Sequence, residues 1–405
     1  MLPVALLTLI PLAVVLASFL RPQPEVWAHL TAYVLPDVVK NSLLLACGVG
    51  TGVFALGVSL AWLTAQCDFP GRRVFAWALM LPLAMPAYVL AFVQVGLFEY
   101  TGPVQTAWRA LGGNPAWMPQ VRSLPGAVVV LSLAFYPYVY LLAREAFLSQ
   151  GRRALEAAQT LGYSRRAAFW RLALPMARPW IAGGLVLALM ETLADFGAVS
   201  IFNLDTFTTA IYKAWFALFN LNAAAQLASL LALAVLALAA GEQWARGRRQ
   251  YHVRAAGSAR HALSGAARAA ASIYCAGVLG LAFVLPLLQL LAWAGANWQN
   301  DLDARYAGFV WHSIVLAASA ALCVAACALV LAQARRAHPD PLTTWLVRLS
   351  TLGYALPGAV LAVGVFVPVA WLDGWLVPLA QHWGLQGWQV ASGTLVVMLA
   401  ALTAR

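Results

Sequence analysis

Charge is what this sequence has least of. Only 10% of its 405 residues are Asp, Glu, Lys or Arg, against about 25% in a soluble globular chain. With 63% hydrophobic residues and a mean hydropathy of +0.78, that deficit excludes a soluble protein. Lysine is nearly missing, with Lys40 and Lys213 the only two, so arginine carries the net charge of +11. The basic residues gather in short breaks between apolar runs and form no face of a soluble domain, which argues against nucleic acid as a partner. The positive-inside rule accounts for them more simply. Acidic lipid at a membrane surface adds about 1 kcal/mol per basic residue. Cysteine is sparse and odd in number, five in all, and Cys47, Cys275, Cys323 and Cys327 lie inside apolar runs. That excludes a disulfide framework. Cys323 and Cys327, four apart, read as small apolar fillers of a helix, and nothing else has metal-ligand spacing. No Gly-x-x-x-x-Gly-Lys-Ser/Thr loop occurs, so any ATP hydrolysis must lie in a partner. No nucleophile triad or cofactor loop supports a membrane enzyme.

What is present in quantity is long apolar runs. A bilayer span needs roughly 20 apolar residues. Ten such runs are expected, at about 3–20, 38–64, 74–98, 124–146, 179–202, 223–243, 270–294, 310–332, 346–370 and 390–404. The first resembles a signal peptide only in its small residues Ala17 and Ser18. No basic residue precedes it and Arg21 follows it, so it reads as a retained span. One alternate set of connections holds 19 of the 25 basic residues, including Arg72, Arg73, Arg144, Arg152, Arg153, Arg165, Arg166 and Arg171. That set is expected to face the cytoplasm, with the N-terminus inside. Trp108, Trp117, Trp298, Trp371, Trp375, Trp383 and Trp388 then fall at the outer interface, where an amphipathic ring is stable.

The sequence repeats itself. Asn41-Ser42-Leu43-Leu44-Leu45-Ala46 matches His312-Ser313-Ile314-Val315-Leu316-Ala317, an offset of 271 (312 less 41). Met85-Pro86-Ala87-Tyr88-Val89-Leu90-Ala91 matches Leu356-Pro357-Gly358-Ala359-Val360-Leu361-Ala362 at the same offset. Two matches in one register argue for a duplicated domain. Six spans separate equivalent positions, so the halves share one orientation, unlike inverted repeats. The expected organisation is a first helix and outer loop over 1–37, a first domain over 38–243, a basic Ala/Arg/Gly-rich linker over 244–269 and a second domain over 270–405. The second domain is expected to be truncated at Arg405, where its copy of the first domain's long basic loop is due.

That loop, 147–178, carries the functional signal. Residues 153–161 are strong helix formers with Glu156 near the start, and Gly162 sits where a left-handed residue stops a helix. Ser164 is a plausible N-cap for a second helix in which Arg165, Arg166 and Arg171 stand beside Phe169 and Trp170. Pro175 and Pro179 set the start of the next span. The expected shape is a short helix, a turn and a basic amphipathic helix at the membrane surface.

With Glu156-Ala157-Ala158, then Gly162, then Leu172, then Leu174-Pro175, this stretch resembles the EAA loop of binding-protein-dependent ABC importer permeases. The spacing is met throughout, with Leu172 in place of the family's Ile. The resemblance implies an all-α polytopic membrane protein of two tandem, same-orientation permease domains of about six helices each. It also implies a coupling helix around Glu156 docked on a separate ATPase subunit, present in two copies. Glu156 would anchor that contact, Gly162 would make the turn, Ala157 and Ala158 would allow close approach, and Leu174 and Pro175 complete the motif. A solute-binding protein and membrane lipid are the other implied partners. No cofactor is expected in this chain, and the implied location is the bacterial inner membrane.

Asp68-Phe69-Pro70-Gly71-Arg72-Arg73, Leu81 to Tyr88, Glu191 to Val199 and Thr206-Phe207-Thr208-Thr209 are similar to the ferric-iron branch of that family, which makes ferric iron the expected solute. Thiamine, polyamine and phosphonate permeases share parts of these stretches. Glu191 and Asp195, four apart within a span, are candidates for lining the translocation path, because ionisable groups at that depth are costly and carboxylates suit a hard cation. The competing reading is that they pair with buried polar groups and lock helices together. Tyr136, Tyr138 and Tyr140 are oxygen-bearing candidates or interfacial anchors, and Pro82, Pro86 and Pro137 mark kinks. A secondary transporter of the major facilitator type is the rival class, since 68–73 mimics its Asp-Arg-x-Gly-Arg-Arg loop. Phe69 breaks that pattern, and the 156–175 spacing has no role there.

Overall fold

The computed structural model describes residues 2–21, 23–149, 158, 160, 162–246, 261–301, 304–337, 340–382 and 394–404. The first stretch of chain gives α1 (Leu2–Ala17), α2 (Pro24–His29), α3 (Leu35–Gln66), β1 (Cys67–Asp68), α4 (Arg72–Ala78), α5 (Ala87–Phe98), α6 (Pro103–Ala110) and α7 (Leu124–Ser149). Then follow α8 (Arg165–Ala168), α9 (Leu174–Ala194), α10 (Gly197–Ile201), α11 (Phe207–Tyr212) and α12 (Leu221–Arg246). The remainder holds β2 (His261–Ala262), α13 (Gly265–Leu279), α14 (Leu285–Asp301), α15 (Ala304–Ala337), α16 (Pro341–Thr351), α17 (Gly358–His382) and α18 (Leu395–Ala404). Among the described residues, eight helices are long and apolar enough to cross a membrane, or nine when one bent pair counts as a span. The chain is an all-α polytopic membrane protein.

The bent pair is the third expected span. Arg72–Ala84 and Ala87–Ala110 meet at 95°. Pro86 has no N–H to donate, and its ring drives Met85 into extended backbone (φ −103°, ψ 120°) after a 3-10 turn over Leu81–Ala84. Such a break strands carbonyls inside a membrane, where each needs a donor. Tyr136 Oη donates to Leu79 O at 2.8 Å and Tyr140 Oη to Ala76 O at 3.0 Å. Both tyrosines are 0% exposed. They are internal plugs for a broken span, which corrects their reading as interfacial anchors.

The duplication reappears in element boundaries. The 3-10 turns Leu81–Ala84 and Leu352–Ala355 are 271 positions apart, as are the ends of α3 and α15 and the starts of α5 and α17. α7 and α18 also begin 271 apart. Leu356 before Pro357 is extended like Met85 before Pro86. The ninth expected span therefore starts at Gly358, because the Pro357 break separates it from α16.

The chain packs as two compact units that cut across sequence order: Met1–Val39 with Thr206–Ala237 and Ala294–Arg405, and Lys40–Asp205 with Leu238–Trp293. Each unit combines the opening helix of one half with the core of the other. In the first, α1 lies on α16 and α17. A Cβ placed on Gly364 would sit 2.5 Å from Pro11 O. Ser229 Oγ reaches Val15 O at 2.6 Å and Thr8 Oγ1 reaches Ser350 O at 3.4 Å. α1 thus packs closely within the first unit.

In the second unit α7 is the central helix. α3 closes on it through Gly48, Gly52 and Gly57, whose added Cβ atoms would meet Val128, Ser132 and Val139 at 2.7, 2.1 and 2.6 Å. α9 closes on it at Gly184, 2.8 Å from Tyr138 O and from Val139 Cα. With little hydrophobic drive between helices in lipid, such close backbone approach supplies the packing energy. The linker's far end is pinned here too. β2 pairs with β1 in parallel, Leu263 N–H donates to Asp68 O at 3.1 Å, and Ser272 Oγ donates to Pro70 O at 3.0 Å.

Candidate functional site

Glu156 and Ala157 lie outside the described residues. Ala158 and Thr160 are helical, and Gly162 ends that helix with φ +83°. Tyr163 N–H donates to Ala158 O at 3.0 Å. This bond, with a left-handed residue just before its donor, is the Schellman arrangement that satisfies an otherwise orphaned carbonyl. Among the described residues, no atom beyond its chain neighbours lies within 4 Å of where a Cβ of Gly162 would be. The glycine is there for its torsion, and the space around it is open.

The chain then turns back toward the membrane. Ser164 caps the next turn, its Oγ accepting from Ala167 N–H at 3.3 Å and its carbonyl accepting from Ala168 N–H at 2.8 Å. α8 runs without a break into a π turn over Phe169–Ala173, closed by Leu174 N–H on Phe169 O, and then into α9. Pro175 stands at the second position of α9 and Pro179 one turn later. A π turn beside prolines is how a helix changes direction without leaving backbone groups unpaired. Leu174 and Pro175 therefore sit just past the π turn inside a helix that is continuous and apolar over Arg166–Ala194, so the expected basic surface helix is instead the first turns of the span. Arg171 Cζ stands 5.9 Å from the exposed Tyr163 ring, bracing the turn from the second helix.

The sequence did not single out what lies beneath that joint. The Phe169 ring packs edge-on against Trp62 of α3 at 4.7 Å and lies 6.4 Å from Phe147 of α7, and Trp62 and Phe147 meet at 5.3 Å. Gln66 at the end of α3 donates from Nε2 to Phe147 O at 2.6 Å. The signal available was the run of aromatic residues at Phe169 and Trp170, but only the fold supplies their partners.

Glu191 and Asp195 do not share one helical face. α9 ends at Ala194, and Asp195 takes extended backbone (φ −69°, ψ 128°). Its Oδ1 accepts from Ala198 N–H at 2.8 Å and Val199 N–H at 3.1 Å, capping α10. The four-residue spacing reads as one face only if the helix continues. It stops because the carboxylate serves the next helix. Glu191 is half-buried on the last turn of α9. From Arg165 to Ala194 the chain is thus one continuous helical rod, with the Gly162 turn before it and Asp195, which caps the next helix, after it.

Residues 54–241 match the family described as the binding-protein-dependent transport system inner membrane component. The chain is 28% identical over 82% of its length to the Fe(3+)-transport system permease protein FbpB 2 of Haemophilus influenzae, and spans 63% of that protein. It is 30% identical to the molybdenum transport system permease protein ModB of Escherichia coli, over 53% of this chain and 96% of ModB. It is 27% identical to the sulfate transport system permease protein CysT of Escherichia coli, over 48% of this chain and 69% of CysT. A relative at 30% identity aligned over nearly its whole length fixes the assignment: the chain belongs to the family of inner-membrane components of binding-protein-dependent transport systems.

Proposed function

We propose that this chain is the permease subunit of an ATP-driven importer, moving a solute delivered by a binding protein while a separate ATPase subunit hydrolyses ATP. The observation that carries this reading is the rod described above. A surface helix stopped at Gly162 is joined through the π turn and Pro175 to α9, and α9 lies backbone-close on α7 at Gly184. A push on the helix before Gly162 has a continuous helical route into α9. Glu156 and Ala157 are the proposed contact with the ATPase, in two copies, while Ala158 is buried within this chain and Gly162 holds the turn. The chain itself binds no cofactor in this account. Its location is the bacterial inner membrane with the N-terminus inside, a reading supported by 19 of the 25 basic residues lying on one set of connections. Reporter fusions at either side of α1 test the orientation.

Ferric iron is the proposed solute. FbpB 2, a relative named for Fe(3+) transport, aligns along 82% of the chain. A second reading, an oxyanion, is favoured by the relatives named for molybdenum and sulfate. Uptake of labelled ferric iron, molybdate and sulfate by cells with and without the chain separates the two. Iron uptake that depends on the chain supports the first reading, and molybdate or sulfate uptake in its place supports the second.

Glu191 and Asp195 are proposed to contribute to the solute path, Asp195 in addition to its cap. Asp195→Asn keeps an acceptor oxygen for the cap and removes the charge. Reduced uptake at normal protein level supports the path role, and unchanged uptake removes it.

A further inference from the structure

We infer that Phe169 is the positioning residue about which the coupling push turns, with Trp62 and Phe147 as its seat. The inference rests on the coupling reading above and names the part of the chain that converts docking into movement of a span. Three observations meet at this residue. The π turn begins at Phe169, whose carbonyl takes the long bond from Leu174 N–H. Such a turn marks a place where a helix can change direction. Its ring contacts the two helices against which α9 must move, Trp62 on α3 and Phe147 on α7, at centroid distances of 4.7 and 6.4 Å. Those two helices are tied to each other at the same level by the Trp62–Phe147 edge contact of 5.3 Å and the Gln66–Phe147 hydrogen bond of 2.6 Å.

A rod pushed at one end moves its far end only if something holds it between. Without a seat, force on the helix before Gly162 bends the chain at the π turn and the prolines, the softest part of the route. With Phe169 seated against the Trp62–Phe147 pair, chiefly on Trp62, the same force tilts α9 against α3 and α7. Trp170, the next residue, is 57% exposed and its ring meets Phe169 at 5.1 Å. The seat is thus one ring deep, with the half-buried Phe169 on its inner side and the exposed Trp170 outside. Aromatic pairs of this geometry favour one arrangement over its neighbours, as a fulcrum requires. Coupling carried by a packed network of this kind changes by roughly threefold to thirtyfold on mutation.

The test uses the full chain assembled with its ATPase partner, in a background with the native cysteines replaced. Cysteine at Thr160, which is exposed, reports docking by cross-linking to the ATPase. Spin labels at Arg178 on α9 and Val74 on α4, both exposed, report movement of α9 on addition of ATP. Phe169→Ala is expected to keep the Thr160 cross-link while the ATP-driven change in the 74–178 distance falls roughly threefold to thirtyfold in population. Phe169→Leu keeps an apolar side chain, guards against loss of folding, and is expected to fall between. A wild-type ATP response in either variant overturns the inference, as does loss of the Thr160 cross-link in both, because Phe169 then builds the docking helix. Absence of that cross-link in the unmutated chain overturns the coupling reading itself, and this inference with it.

Discussion

Gly162 and Gly184 are the same residue type about one helix apart, and the structure uses them in opposite ways. Gly184 has Tyr138 O and Val139 Cα within 2.8 Å of the place a Cβ would occupy. Its missing side chain is what lets α9 lie on α7. Gly162 has nothing of the described residues within 4 Å of its Cβ position and a φ of +83°. Its missing side chain is what lets the backbone turn, and the space about it belongs to no part of the described chain. One glycine serves the fold and the other serves a surface. The difference separates residues that hold the spans together from residues free to meet a partner.

Substitutions can break or sharpen that contrast. The largest effect is expected at Gly184→Leu, which forces side-chain atoms into backbone and costs about 3 kcal/mol. Membrane levels and the detergent melting temperature should both drop. Normal levels would mean α9 and α7 do not rely on this approach. Gly162→Val is expected to cost about 1–2 kcal/mol, the strain of a left-handed β-branched residue. Protein should accumulate while transport and ATPase coupling fail. A loss of protein as severe as that at Gly184 would erase the distinction. Asp195→Ala removes a cap of two N–H groups and should cost about 1 kcal/mol, read as a small fall in melting temperature, with Asp195→Asn recovering most of it. Gln94→Leu is the smallest case. Its Nε2 donates to Leu281 O at 2.7 Å where a π turn over Gly280–Val284 interrupts the helix. Such bonds are worth about 0.6 kcal/mol in membrane proteins. A melting-temperature change larger than that for Asp195→Ala would show that the contact of α5 with this helix is sustained by one side chain.

Gln94 also shows where sequence reading stops. Boundaries fixed by local chemistry were legible. Pro86 and Pro357 each end a 3-10 turn, so the repeat at 271 appears both in the letters and in the elements. Gly162 was legible for the same reason, since a left-handed helix stop depends on one residue and its neighbours. Contacts between distant segments were not. Gln94 meets Leu281, while the matching region of the other half brings Gly364 against Pro11. Equivalent helices thus meet through a hydrogen bond in one place and through bare backbone in the other, and no repeat of letters marks either. The buried tyrosines show the same limit. Tyr136 and Tyr140 look amphipathic in the sequence, and only the Pro86 break, folded beside them, gives their hydroxyls carbonyls to serve. At the candidate site the spacing from Glu156 to Pro175 was visible, whereas the Trp62 and Phe147 partners of Phe169 lie too far along the chain for any local pattern to link them. The end of α9 was misplaced because a cap reaching forward, with Asp195 accepting from the first N–H groups of α10, looks like one more helical turn in the sequence.

Coupling in this chain requires that the helix before Gly162 meet an ATPase. The direct measurement is site-directed cross-linking in native membranes from Thr160→Cys, with Leu111→Cys, 84% exposed in the connection after α6, as the control. A cross-linked product containing a nucleotide-hydrolysing subunit from position 160 and none from position 111 is the predicted result. Efficient labelling of both cysteines with no such product from position 160 would contradict the account.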